Sequence, residues 1–289
     1  MIGINFLRYA AAESVPKQRA ATASSLLLAS GIGVIIGSEL YGKGDSLGFD
    51  LPFIGVYTLV SVIGGCAVLA FVPLNREMGY SVNQAKADVG KATGFSSIVT
   101  SHYLFFGIVS MVLGHAIMMI VMSAASIASV GYGLGDSETG ILIGAHLVAM
   151  FAPGIITGML ISRMGANRII LLGALFNLIG FLIGLINETE IVILGVPLIF
   201  AGLGWNLMFL GGTHIINSMS DGISKVRVQG VSETLLATVS TIFALASGGI
   251  YEVLGWKGLI WIVTIMTLLT ITLFFIRALL ISNDFDKSE

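Results

Sequence analysis

The 289-residue chain is 56% apolar and only 10% charged, with 14 lysines and arginines against 16 aspartates and glutamates and a formal net charge of −2. Soluble domains carry roughly 25% charged residues, so this composition excludes a soluble globular protein and describes a polytopic membrane protein. No basic patch with interleaved aromatics suggests a nucleic-acid partner, and the lone Cys66, inside an apolar stretch, reads as a small buried hydrophobe that says nothing about redox compartment.

The first segment, MIGINFLRYAAAESVPKQR, places its charge after the short apolar stretch, unlike the order of a secretory signal. A first span is expected over about Ala20 to Tyr41, where Ala21, Ser25, Ala29, Gly33 and Gly37 fall four apart and form a close-packing seam. A second follows over about Leu51 to Pro73. The connection Leu74 to Ser97, with Arg76, Lys86, Lys91 and several Gly and Ser residues, is the candidate boundary between two bundles. Six further spans are expected at about Ile98 to Ser129, Gly140 to Ser162, Asn167 to Ile186, Ile191 to Met219, Val228 to Val253 and Trp256 to Ile281. The expected fold is therefore an all-α membrane bundle of about eight spans. Its parts are 1–73, a loop at 74–97, and a six-span bundle at 98–289.

Charge then orients the bundle. Twelve of the fourteen lysines and arginines fall in loops on one side, against only Lys43 and Lys257 on the other. The positive-inside rule makes the rich side cytoplasmic, with both termini on that side of a plasma membrane.

The segment Gly140 to Arg168 organises the second bundle. Its small residues Gly140, Gly144, Gly154 and Gly158 suggest close helix approach, and it ends in Gly158-x-Leu160-x-x-Arg163-x-Gly165-x-x-Arg168. Both arginines are expected to follow a helix end, bonding its last carbonyls and complementing its dipole. That turn resembles the loop signature of the major facilitator superfamily of secondary transporters. Phe200 to Gly212 (FAGLGWNLMFLGG) and Lys225 to Gln229 (KVRVQ) resemble the tenth span and the next cytoplasmic loop of a bacterial branch. Arg8 to Glu13 (RYAAAE) resembles the end of the fourth span, and Gly31 to Gly37 (GIGVIIG) the fifth-span glycine motif. Two positions depart from the pattern: Ser162 stands where an acidic residue is common, and Ser38 where proline usually follows Gly37. The resemblance implies a transporter moving a small solute by alternating access, coupled to protons, at a site between two six-span halves. It also implies that the first four spans are missing. The chain alone is then expected to insert without transporting unless a second copy or a separate N-terminal piece completes it; the alternative is a non-transporting membrane fragment or scaffold.

Polar groups at bilayer depth are the candidate site residues, because a charge at a helix centre costs at least ~2.5 to 3.5 kcal/mol. His115, surrounded by Met111, Met118, Met119 and Met122, and His146 read either as satisfied structural histidines or as proton carriers. Trp205 and Asn206 lie mid-span, where an asparagine must pair with another helix or with substrate; Asn177 reads as packing. Glu39 and Glu233 read as helix-end carboxylates open to solvent, or as coupling carboxylates. Gly158, Arg163, Gly165 and Arg168 form a candidate gating turn. His102, His115, His146 and His214 show no metal-ligand spacing, and no nucleophile elbow, phosphate loop or dinucleotide fingerprint occurs, so neither an enzyme nor a cofactor is expected.

Overall fold

The computed structural model describes residues 21–22, 58, 61–62, 102–187, 189–218 and 223–286, with backbone alone at 102, 136, 223–225 and 277–286. Apart from those few positions, the spans expected at 20–41 and 51–73, Glu39 and the loop at 74–97 lie outside the described residues. Among the described residues six helices follow one another: α1 His102–Gly131, α2 Asp136–Phe151, α3 Gly154–Met164, α4 Ala166–Ile186, α5 Glu190–Asn217 and α6 Ile223–Asp286. Five stretches are long and apolar enough to cross a membrane, at 103–131, 137–164, 166–186, 190–217 and 226–276.

The last of these is two crossings. Its backbone leaves the helical region at Gly255 (φ 65°, ψ −178°). Before that point Val228 and Leu236 belong to one apolar cluster, with Leu104, Ile170 and Ile216. Trp256, Leu259, Ile260 and Val263 belong to a second, with Phe181, Ile193 and Leu194. Ile271 and Phe274 then pack back against the first. The chain runs from the first cluster to the second, turns at Gly255 and returns to the first. The two clusters are the two halves of the bundle's depth. Arg163, Arg168 and Arg227 sit beyond the first, and Glu138, Glu190, Glu252 and Lys257 beyond the second.

Lipid tails are as apolar as leucine, so what holds these helices together is close packing and interhelical hydrogen bonding. α5 is the hub: it is buried along most of its length and packs against α4, α1 and α2. Its glycines admit each neighbour in turn. A Cβ on Gly195 would meet Leu142, one on Gly202 would meet the His146 carbonyl, one on Gly211 would meet Ile170, and one on Gly212 would meet the Gly107 carbonyl. α4 answers with Gly173, Gly180 and Gly184, which receive Leu207, Phe200 and Pro197.

The expected Gly140 to Ser162 span is present as one apolar stretch, 137–164, interrupted at Ala152–Pro153 between α2 and α3, because proline lacks the N–H that would continue the ladder. Its small-residue seam is only half present. Gly154 and Gly158 are buried, whereas a Cβ on Gly140 or Gly144 would meet nothing within 4 Å.

The reading of the basic turn changes as well. Arg163 lies in the last turn of α3, where a cation suits the dipole, but Arg168 lies in the first turn of α4, at the positive end of that helix. Among the described residues neither arginine makes a recorded hydrogen bond or ion pair, and both are exposed. What the turn depends on is Gly165, the single residue between α3 and α4. Its φ of 82° and ψ of 151° are open essentially to glycine alone. The space around it is empty, so a methyl group would meet no neighbour and only backbone strain would act. Gly165→Ala should therefore lower stability by about 1 to 3 kcal/mol, read as an earlier thermal unfolding midpoint in detergent; an unchanged midpoint would show that the turn relaxes freely.

Candidate functional site

Two positions in the bundle break the backbone ladder, and at each a side chain from another helix satisfies a carbonyl left at the break. Pro197 has no N–H, so the carbonyl four residues earlier, Ile193 O, loses its helical donor. Trp256 Nε1 donates to it at 2.9 Å. At the break between α2 and α3, Asn206 Nδ2 donates to Met150 O at 2.7 Å, among the last carbonyls of α2 that have no partner within the helix. On the far side of the break, Thr157 Oγ1 lies 2.7 Å from Asn206 Oδ1 and 2.8 Å from Pro153 O. One hydroxyl proton cannot serve both. Because Met150 O requires the amide nitrogen, Oδ1 faces Thr157 and needs its proton, while Pro153 O already accepts from the Ile156 and Thr157 amides at 2.9 Å. Asn206, fully buried, thus spans the break from α2 to α3.

One turn of the site is aromatic. Trp205 Nε1 donates to His115 Nδ1 at 2.6 Å, joining α5 to α1. The indole stacks on Phe209, with ring centroids 4.9 Å apart at 25°, and meets Phe151 edge-on at 6.0 Å and 84°. His115 also lies 6.0 Å from the Phe209 ring. Trp205 and Phe209 are buried, whereas His115 and Phe151 are half-buried. His115 stands about 20 Å along α1 at helical rise, near mid-depth.

His146 is placed differently. Its Nδ1 lies 2.6 Å from Leu198 O, an approach that a side chain on Gly202 would obstruct. A carbonyl can only accept, so Nδ1 carries the proton and Nε2 keeps a lone pair, buried and without a recorded partner. The tautomer of His115 is the opposite one. There Nδ1 is the acceptor, and the neutral ring carries its proton on Nε2.

The structure pairs His115 with Trp205 near mid-depth, while the adjacent Asn206 bonds Met150 and Thr157, and His146 lies two turns away along α5. Glu233 is not the solvent-facing group expected of a helix end: it is 3% exposed on α6. Glu39 lies outside the described residues. Gly158, Arg163, Gly165 and Arg168 form the turn at the arginine-bearing end of the bundle, away from the aromatic group. Asn177 is fully buried over the notch at Gly204, where an added Cβ would run into its Oδ1; its Nδ2 reaches only the Met208 sulfur at 3.7 Å. Sequence reading missed Thr157, Phe151 and Phe209. The available signal was Pro153 within an apolar run, followed four residues later by a threonine.

No protein-family model matches the chain. Over 257 residues it is 27% identical to the riboflavin transporter RfnT of Brucella anthropi, covering 89% of this chain and 64% of that protein. Over 256 residues it is 28% identical to the uncharacterized MFS-type transporter YddS of Bacillus subtilis, covering 84% and 58%. The chain thus spans about three fifths of the length of these curated relatives. Among solved structures, a bacterial homologue of the iron transporter ferroportin in an outward-facing state superposes with a TM-score of 0.67 at 16% identity, over 93% of this chain and 66% of that one. That likeness is one of fold.

Proposed function

Since this chain is a multi-pass membrane relative of the major facilitator transporters and has their helical fold, we propose that it works in secondary transport, carrying a small solute across a bacterial plasma membrane by alternating access coupled to protons. In this reading residues 98–289 form one half of the transporter, residues 1–73 contribute to the other, and the arginine-bearing end faces the cytoplasm. The observation that carries the proposal is the pairing of His115 on α1 with Trp205 on α5 near mid-depth, the level at which transporters place their sites. The half-buried Phe151 and His115 beside the Trp205 ring offer aromatic faces and one polar edge, which suits a planar heterocycle. The relative named as a riboflavin transporter makes riboflavin the first solute to try.

The histidines divide the coupling role. His146 has a spare lone pair, and His115 has one already engaged by Trp205. Glutamine keeps a hydrogen bond at either position but cannot titrate. The test is uptake by the purified chain in sealed vesicles, with riboflavin and a panel of small solutes, under an imposed pH gradient. Accumulation above protein-free vesicles, with a pH dependence that His115→Gln or His146→Gln flattens, is the expected result. Unchanged pH dependence in both variants would remove the histidines from coupling. Absence of uptake of any solute by demonstrably inserted protein would favour a non-transporting membrane component.

A further inference from the structure

Inside a bilayer an exposed hydroxyl has two fates: it donates to its own helix and rides in hydrocarbon, or it meets water. Thr272 takes the first. It is exposed beside Leu268 and Phe275, and its Oγ1 donates to Leu268 O at 2.8 Å. Thr238, on the crossing of α6 before Gly255, is exposed as well, but among the described residues its hydroxyl makes no recorded hydrogen bond. It follows Val226, where the apolar stretch begins, by about 18 Å at helical rise and so lies near mid-depth, where hydrocarbon would leave that hydroxyl unsatisfied.

Between residues 234 and 242 the exposed side chains of this crossing are sorted by type. At about 100° per residue, Thr234, Thr238 and Thr241 fall within about 60° on one edge of the exposed arc, while Leu235 and Ile242 fall on the other. The threonine edge is the one beside α1. Gly248, which continues it two turns beyond Thr241, is where Ile127 of α1 arrives: a Cβ there would lie 3.7 Å from Ile127 Cδ1. One turn before Ile127, on the same side of α1, is Ser123, half-buried and again without a recorded hydrogen bond among the described residues. The two helices run parallel, since a Cβ on Gly131 would meet the Tyr251 hydroxyl. That register sets His115 level with the turn between Thr234 and Thr238.

We propose that Thr234, Thr238 and Thr241 form a wetted wall of the solute path, running past Ser123 to the level of His115 and Trp205, while Leu235 and Ile242 beside them face lipid. The wall takes hydrogen-bond donors, of which water is one. Thr234 and Thr241 spend their protons on Gly230 O and Ala237 O, at 2.9 and 2.7 Å, so their oxygens offer lone pairs alone; Thr238 offers a proton as well. By contrast, α4 exposes only hydrocarbon between its ends, at Leu175, Ile179 and Leu182. The wall takes its part in a solute path from the transport reading above, but its wetting is a property of the folded chain and can be tested without transport.

The experiment is labelling of the purified full chain in lipid nanodiscs by a small, charged thiosulfonate, in a Cys66→Ser background that removes the lone native cysteine. The thiolate is the form that reacts, and a thiol in hydrocarbon stays protonated, so Thr238→Cys, Thr241→Cys and Ser123→Cys should be modified at least about tenfold faster than Ile242→Cys and Ile179→Cys. Slow labelling at all five positions would put the threonine edge in lipid and overturn the proposal. Equally fast labelling of Thr238→Cys and Ile242→Cys would overturn it as well, because the arc would then not be divided between water and lipid. A disulfide between two copies through Thr238→Cys would overturn it in favour of a contact between chains. Should Thr238→Cys lose helical content, Thr241→Cys and Ser123→Cys carry the same expectation. Fast labelling without uptake of any solute would uphold the wetted wall and defeat the transport reading, and uptake with slow labelling at the threonine positions would do the reverse.

Discussion

Asn206→Leu should destabilise the bundle by about 1 to 3 kcal/mol, because it removes the only side chain recorded among the described residues as bonding both sides of the α2–α3 break and leaves the buried Met150 carbonyl without that partner. The Thr157 hydroxyl turns instead to the Pro153 carbonyl, 2.8 Å away. Leucine fills a similar volume, so the loss is one of hydrogen bonding and not of packing. Thr157→Val alone strands only Asn206 Oδ1 and should cost a similar amount. The double variant should cost less than the sum of the two, since removing both ends of a bond leaves neither end unpaired. Thermal or detergent unfolding of the four proteins gives the coupling directly. Strict additivity, or a leucine variant as stable as wild type, would show that water satisfies the break instead.

Gly204→Val is the second large effect expected. At this position α4 and α5 touch through their backbones: a Cβ on Gly204 would lie 2.7 Å from Gly173 O, and one on Gly173 would lie 2.8 Å from Gly204 O. Backbone cannot rotate aside as the end of a side chain can, so a branched residue must push the helices apart. Overpacking costs typically 1 to 3 kcal/mol, and the displacement of Asn177 from the same notch adds to it. Asn177→Ala should therefore partly rescue Gly204→Ala, by vacating the space its carboxamide fills, but should rescue Gly204→Val much less, since the Gly173 carbonyl remains. Equal rescue of both variants would mean that Asn177, and not the backbone, sets the helix separation.

These two sites show which parts of the structure a linear reading could reach. The crossings were legible because a run of apolar residues longer than a bilayer is thick, ended by charge, has few other fates. The turn at Gly165 was legible because a glycine between two arginines marks a stop. Asn206 and His115 could be picked out as costly at their depth, but their partners could not be known. Met150 O and Leu198 O are backbone atoms, which no residue type announces. The pairing of Trp205 with His115 joins residues 90 apart and depends on helix rotation that apolar residues on every face do not specify. The same uniform apolarity hid the α2–α3 break, whose one mark was Pro153, and made Gly140 and Gly144 look like a packing seam although an added Cβ at either would meet no neighbour within 4 Å. Burial of Glu233 was missed because its place near a helix end suggested water.

The two carbonyls freed by prolines and helix breaks also bear on how the chain enters the membrane. Helices leave the ribosome in order, and an unpaired carbonyl in hydrocarbon costs several kcal/mol until its partner arrives. The donor for Met150 O comes 56 residues later, with α5, and the donor for Ile193 O comes 63 residues later, after the turn at Gly255. At a synthesis rate of roughly 5 to 20 residues per second, each carbonyl waits several seconds for its match. During that interval α2 and α5 are poor lodgers in lipid and are best kept at the translocation channel or in contact with a membrane chaperone. The bundle closes late, with Trp256 as one of its last fastenings, so a nascent chain released before that residue emerges is the form most exposed to quality-control proteases.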